Sequence, residues 1–258
     1  MPDVFICEIV ENTLLTNAIY SMTVKCRELA LGSSPGQFLH IKCGRARLLR
    51  RPISICDVKE DMVNFVFETK GEGTLWLSRC KPGESLDILG PLGHGYKVVE
   101  GNYILVGGGL GAPPLLYAAH YTAKKAKNCN ATAILGFRNA DRVILVDEFK
   151  EACNKVYLTT DDGSAGIHGA ITGPLEELLK TGGYVAVMTC GQLLMQKAVA
   201  KMCEKYDVPC QVSLEERMGC GVGACLVCAC AVTDKEGNEQ MSRACIDGPV
   251  FNSKNVIW

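Results

Sequence analysis
Glu215-Glu216-Arg217-Met218-Gly219-Cys220-Gly221-Val222-Gly223-Ala224-Cys225-Leu226-Val227-Cys228-Ala229-Cys230 places Cys220, Cys225 and Cys228 in a C-x4-C-x2-C run, with Gly219, Gly221 and Gly223 interleaved. That is the spacing of a plant-type [2Fe–2S] loop. A two-iron centre needs four thiolates converging on one small volume. A chain wraps that tightly only where positive φ and close backbone approach cost little, which glycine provides. The fourth ligand is expected farther on, and Cys245 in Ser242-Arg243-Ala244-Cys245-Ile246-Asp247 is the only cysteine left downstream once Cys230 is set aside. Cys230, two residues past Cys228, reads as a buried neighbour. Two other readings stay open. Structural zinc usually pairs two C-x2-C knuckles, and one is present here. A disulfide cluster suits a secreted chain.

Working outward, the bulk composition narrows the classes. With 258 residues and 48% hydrophobic content, the chain can bury one large or two ordinary cores plus a small appendage. Net charge is −1, from 27 basic and 28 acidic residues, which leaves no electrostatic footprint for nucleic acid or an anionic membrane. No apolar run approaches a membrane span, and Met1-Pro2-Asp3-Val4-Phe5 lacks a signal-type start. The expectation is a soluble, cytoplasmic protein in a reducing compartment, where its 15 cysteines stay free or bind metal. Cys7, Cys26, Cys43 and Cys153 read as small core hydrophobes. The four histidines, His40, His94, His120 and His168, are too dispersed to suggest a ligand cluster. No paired carboxylates or Ser-His-Asp set appear, so no side chain is expected to be catalytic.

From Val4 to Leu89 the sequence predicts six short strands, at 4–10, 19–26, 37–42, 52–58, 62–68 and 85–89, separated by turn residues such as Gly32-Ser33-Ser34-Pro35-Gly36. That pattern suggests a small antiparallel barrel. Within it Arg50-Arg51-Pro52-Ile53-Ser54 precedes Gly73-Thr74, the start of a short helix over 74–79. A cationic fork, a hydroxyl and a helix start are what a diphosphate needs, although basic residues before a strand are as often plain surface.

After Gly101 the period changes. Tyr103-Ile104-Leu105-Val106 is an apolar strand, and Gly107-Gly108-Gly109-Leu110-Gly111-Ala112-Pro113-Pro114 leads into a helix from Leu115 to about Lys127. Positions 107, 109 and 112 satisfy G-x-G-x-x-G/A, yet the next strand, 133–138, ends in Arg138 rather than an acid. Strand and helix signals alternate on to Ser213, with a helix over 192–206, implying a parallel sheet covered on both sides. Cys190-Gly191 lies at the carboxyl end of one of those strands, where open α/β sheets hold ligands, although on spacing alone a buried cysteine before a glycine turn is the stronger reading.

Taken in order, Arg51-Pro52-Ile53-Ser54, Gly73-Thr74, the 107–114 turn and Cys190-Gly191 resemble the ferredoxin–NADP reductase superfamily. With the closing Glu216–Cys228 stretch, the whole chain is similar to electron-transfer subunits of type B dihydroorotate dehydrogenase. The resemblance implies three units: an FAD-binding barrel at 1–98, a Rossmann-like NAD-binding α/β domain at 99–213 and a [2Fe–2S] module at 214–258. By position it implies that Arg51, Pro52, Ile53, Ser54, the backbone of Val66, Phe67 and Glu68, Gly73 and Thr74 bind FAD. Gly107, Gly108, Gly109 and Gly111, on to Pro113, with Cys190 and Gly191, would face the nicotinamide nucleotide. Cys220, Cys225, Cys228 and Cys245 would hold the cluster. The implied partner is an FMN-containing catalytic subunit that oxidises dihydroorotate for pyrimidine (UMP) biosynthesis, two of each chain forming a heterotetramer, with NAD as acceptor. Relatives serve sulfide dehydrogenase, ferredoxin:NADP reductase, sulfite reductase or hydrogenase. Some of those have aspartate as the first cluster ligand, and Cys220 favours the dihydroorotate branch. Gln192, where many relatives carry proline, and His94 depart from the pattern and bear on the nicotinamide pocket only.

Overall fold
The computed structural model describes residues 3–44, 48–125 and 129–258. The chain begins with β1 (Asp3–Thr16), β2 (Ile19–Lys25), α1 (Arg27–Gly32), β3 (Phe38–Ile41), β4 (Arg51–Lys59), β5 (Met62–Glu68), α2 (Glu72–Leu77) and β6 (Ser85–Leu92). The six strands close into an antiparallel barrel in the order β1-β2-β5-β4-β3-β6. Alternation explains it: Cys7, Ile9, Met22, Val24, Ile53, Ile55, Val63, Phe65, Leu86 and Ile88 are buried and fill the interior. Closure leaves no free edge. Three details differ from the sequence expectation. β1 runs on to Thr16 because β2 pairs with it through Asn12↔Met22 and Thr16↔Ile19. α2 starts at Glu72, two residues early. Cys26 is half-exposed rather than core, because it stands at the N-cap of α1.

Next come β7 (Asn102–Gly108), α3 (Ala112–Lys125), β8 (Asn130–Phe137), α4 (Val146–Ala152), β9 (Lys155–Thr160), β10 (Ile167–His168), α5 (Thr172–Thr181), β11 (Tyr184–Cys190), α6 (Leu193–Lys205) and β12 (Cys210–Ser213). The tail adds β13 (Ala229–Thr233), β14 (Glu239–Arg243) and β15 (Val250–Asn252). Seven strands form one sheet, β10-β9-β8-β7-β11-β12-β15, parallel except for β15. β7 reads as an unbroken apolar run because both faces are covered: Tyr103 and Leu105 pack with α3, Ile104 and Val106 with α5 and α6. α3 begins at Ala112, since Pro113 and Pro114 suit a first helical turn. The expected end of this helix, Ala126 and Lys127, lies outside the described residues. β13 and β14 make a separate hairpin, and β15 returns the chain to the sheet beside β12. No helix among the described residues is long and apolar enough to cross a membrane.

Candidate functional site
A cleft of about 970 Å³ runs between the barrel and the parallel sheet. On its barrel side lie Pro52, Ile53 and Ser54 of β4, Val66, Phe67 and Glu68 of β5, and Thr74 of α2. Phe67 is stacked on Tyr20 with ring centroids 5.7 Å apart. Arg51 and Gly73 lie behind this wall and depend on each other. A methyl group on Gly73 would stand 2.6 Å from Arg51 Nε, so the guanidinium takes its present place across the helix start over a bare Gly73. A planar cation laid across a side-chain-free helix start fits a diphosphate. The Thr74 hydroxyl is partly engaged, accepting from the N–H groups of Lys70 (3.0 Å) and Gly71 (3.3 Å).

Across the cleft the sheet reverses its order of construction. β7 has β8 on one side and β11 on the other, and a crevice at such a switch point is where open sheets take ligands. The register sets Cys190 beside Gly107, bringing the two sequence-predicted segments together. Gly108, Gly109, Gly111, Cys190 and Gly191 all line the cleft, while Gly107 sits behind, packed on Ala112. A methyl on Gly111 would lie 2.5 Å from Gly191 N and closer still to the Cys190 carbonyl. By contrast nothing lies within 4 Å of one on Gly109, which has φ +54° and faces open space. Burial pushes the Cys190 thiol up to about 12, so it stays protonated.

Four of the tail's five cysteines meet in pairs. Cys220 N–H donates to Cys225 Sγ at 3.3 Å, and the Cys228 and Cys245 thiols hydrogen-bond each other. Cys220 Sγ also accepts from Val222 N–H (3.4 Å) and Ala224 N–H (3.3 Å). Burial pushes the Cys220 thiol up, but these backbone donors outweigh it and bring its pKa down to about 6. Burial and the Cys228 thiol hold Cys245 up at about 12. Four thiols brought together in two pairs, with N–H groups aimed at one sulfur, fit a two-iron centre, which these residues would hold. Cys228 and Cys245 share a small apolar cluster with Phe38 and Leu92 of the barrel, and the cleft reaches Met218 and Ala244 at its edge. Cys230 turns the other way, into the core beneath the sheet.

Residues 215–257 match the iron-sulfur cluster binding domain of dihydroorotate dehydrogenase B. Over nearly the whole chain the sequence is similar to proteins named dihydroorotate dehydrogenase B (NAD(+)), electron transfer subunit. The one from Caldanaerobacter subterraneus subsp. tengcongensis is 39% identical, covering 97% of each chain. The one from Desulforamulus reducens is 36% identical and covers all of both. The chain belongs to this family. A solved NADH-dependent reduced ferredoxin-NADP oxidoreductase is also similar, with TM-score 0.86 and 32% identity over 98% of this chain and 90% of that one. The ferredoxin reductase of carbazole 1,9a-dioxygenase shares the fold alone, at TM-score 0.67 and 20% identity.

In this family member the structure adds residues to the site that sequence reasoning missed. Gln196 on α6 donates to the carbonyls of Gly191 (2.8 Å) and Ser213 (2.9 Å), fixing the turn after β11. Arg142 binds Glu68 across the cleft and reaches the Asn17 carbonyl, bridging sheet and barrel. Burial raises the Glu68 pKa, but Arg142 and then Lys70 outweigh it and leave the carboxyl below its usual value. Asp161, the residue after β9, lines the cleft, as does Arg138 after β8. Arg243 grips Asp247 (Nε to Oδ2, 3.1 Å) and the Gly223 carbonyl (3.3 Å), bracing the turn that carries Cys245 against the cysteine loop. His40 is completely buried beside Gly221, and no pattern pointed to it.

Proposed function
We propose that this chain takes electrons from an FMN-containing dihydroorotate dehydrogenase catalytic subunit and delivers them through a [2Fe–2S] centre and FAD to NAD+, in de novo pyrimidine (UMP) biosynthesis. One observation carries this: a single cleft is lined by Pro52, Ile53 and Ser54 of β4, by Gly108–Gly111 with Cys190-Gly191, and by Met218 and Ala244, the neighbours of the cysteine loop and of Cys245. When bound, the flavin supplies the exchange between a carrier of two electrons and a centre that takes one. The chain's own work is placement. Arg51 and the start of α2 would hold the flavin diphosphate, and the β5 backbone from Val66 to Glu68 would border its ring. The glycine turn and Cys190-Gly191 would receive the nicotinamide nucleotide. Cys220, Cys225, Cys228 and Cys245 would hold the irons. On this reading the units are 1–98, 99–213 and 214–258, and the protein works in the cytoplasm as a heterotetramer with two catalytic subunits.

Around exposed Cys225 the apolar side chains of Val222, Leu226 and Val227 are 48%, 62% and 54% exposed, a rim suited to a partner docking over the cluster. The test is co-expression with the catalytic subunit, followed by dihydroorotate-dependent NAD+ reduction. The reading stands if the pair co-purifies with that activity and iron, sulfide and FAD are present. It fails if the chain alone reduces NAD+ from dihydroorotate, or if it is colourless and holds zinc. The oxidoreductase likeness supports a second reading, an electron-transfer chain serving ferredoxin and NADP in place of dihydroorotate. Activity with reduced ferredoxin and none with dihydroorotate would select it.

A further inference from the structure
β3 separates the two proposed cofactor sites. Its register sets Phe38 opposite Ser54 and His40 opposite Pro52, so it runs directly behind the flavin strand. Phe38 and His40 occupy alternate positions and both point at the tail: Phe38 packs with Cys228 and Cys245, and His40 meets Gly221. His40 is wholly buried, and neither ring nitrogen makes a hydrogen bond of good geometry. A buried imidazole with both nitrogens unmatched is costly and calls for a partner. Two backbone carbonyls face the ring, those of Arg50 and Cys220. Gly221 decides between them. It has φ +76°, and a methyl there would stand 2.6 Å from Nδ1, so the loop comes onto that edge of the ring only because it is bare.

We propose that His40 is the positioning residue of the cysteine loop, its Nδ1–H engaging the Cys220 carbonyl and so fixing the Cys220–Gly221 peptide. The Arg50 charge lies beside the ring, and its guanidinium is paired with Asp87 at 2.7 Å. With that peptide fixed, Val222 N–H and Ala224 N–H stay on Cys220 Sγ. Donors on a ligating sulfur favour the reduced, more negative state of an iron centre and raise its potential. His40 therefore tunes the centre without touching it.

The proposal rests on the reading that these four cysteines hold an iron pair, and the experiment separates the two. Purified chain carrying its cofactors is compared as wild type, His40→Leu and His40→Asn, scoring iron, sulfide and flavin content and the midpoint potential of the iron centre. His40→Leu should keep its flavin while reduction of the centre becomes about tenfold less favourable, about 59 mV for a one-electron couple. His40→Asn places an amide donor where Nδ1 stood and should hold the wild-type potential. An unshifted potential in His40→Leu, or an equal fall in His40→Asn, overturns the proposal. Should His40→Leu lose its irons, His40→Asn decides alone: a wild-type potential upholds it and a lowered one overturns it. Absence of iron and sulfide from the wild type would instead sink the underlying cluster reading.

Discussion

Gly111 and Gly109 stand two residues apart in one turn, and the structure assigns them opposite tolerances. A methyl on Gly111 would meet Gly191 N at 2.5 Å, in backbone that cannot swing aside. Carbon atoms rest at about 3.5 Å or more, so Gly111→Ala must open the ends of β7 and β11 by roughly 1 Å. Overpacking of this kind costs about 1–3 kcal/mol, and a shift of that size at a ligand's seat lowers turnover by about 10²-fold. Gly109→Ala meets nothing within 4 Å and carries only the strain of φ +54°. That strain is about 1–2 kcal/mol. The assay is NADH-driven reduction of a dye, with FAD, iron and sulfide measured alongside. Gly111→Ala should lose about 100-fold in kcat/KM for NADH while keeping its cofactors, and Gly109→Ala should stay within about fivefold. Equal losses in the two variants, or a Gly111→Ala enzyme within threefold of wild type, would refute the packing argument.

Three more expectations follow from other parts of the site. Cys225→Ser should abolish dihydroorotate-dependent NAD+ reduction in the assembled complex yet leave NADH-driven dye reduction intact, because the flavin and nicotinamide walls do not touch Cys225. Arg51→Leu should leave the folded chain largely flavin-free after gel filtration, read from visible absorbance, since removing a charge-assisted contact costs about 1.5–3 kcal/mol. Acid stability should depend on Asp57 of β4, whose Oδ1 lies 2.9 Å from His120 Nδ1 of α3. Burial pushes the Asp57 carboxyl up, but the His120 ring, the Val58 N–H and Lys59 together bring it below its usual value. A depressed folded-state pKa adds stability above the unfolded value, about 3.9, that is lost as pH falls through the folded one. Wild-type urea midpoints should thus drop on acidification below about pH 4 more steeply than those of Asp57→Asn, and parallel curves would contradict this.

The barrel was legible because its strands alternate and its turns carry Gly, Pro and Asp. The second half was legible because β7 is apolar throughout and opens into glycines. The cysteine spacing is local, so it too could be read directly. What escaped depends on tertiary pairing. β1 continues through polar Asn12 because that amide finds the carbonyls of Leu77, Ser78 and Cys80, a partner set 65 to 68 residues away. β15 is three residues long and exists only because β12 offers an edge. His40 and Cys220 are 180 positions apart, and nothing around His40 sets it apart from three other scattered histidines. Asp161 was missed because the dinucleotide fingerprint looks for an acid at the end of β8, whereas this one follows β9.

The placement of β3 suggests why the tail folds back at all. A hairpin with a cysteine loop has too little apolar surface to stand alone, and the described tail buries Cys228, Ala244 and Cys245 against Phe38 and Leu92 of the barrel. The same contact fixes the loop against the strand that lies behind the Arg51–Ser54 motif. The Phe38 contact thus both adds to the anchoring the tail gets from Cys230, Val232 and β15 on the sheet and sets the cysteine loop against the cleft wall. Thinning that wall by Phe38→Ala should both loosen the tail, by about 3–5 kcal/mol for a buried aromatic, and disturb the Ser54 side of the cleft. Limited proteolysis of the tail and flavin content should therefore change together in this variant. A tail that becomes protease-sensitive while flavin binding stays unchanged would show that the wall serves packing alone.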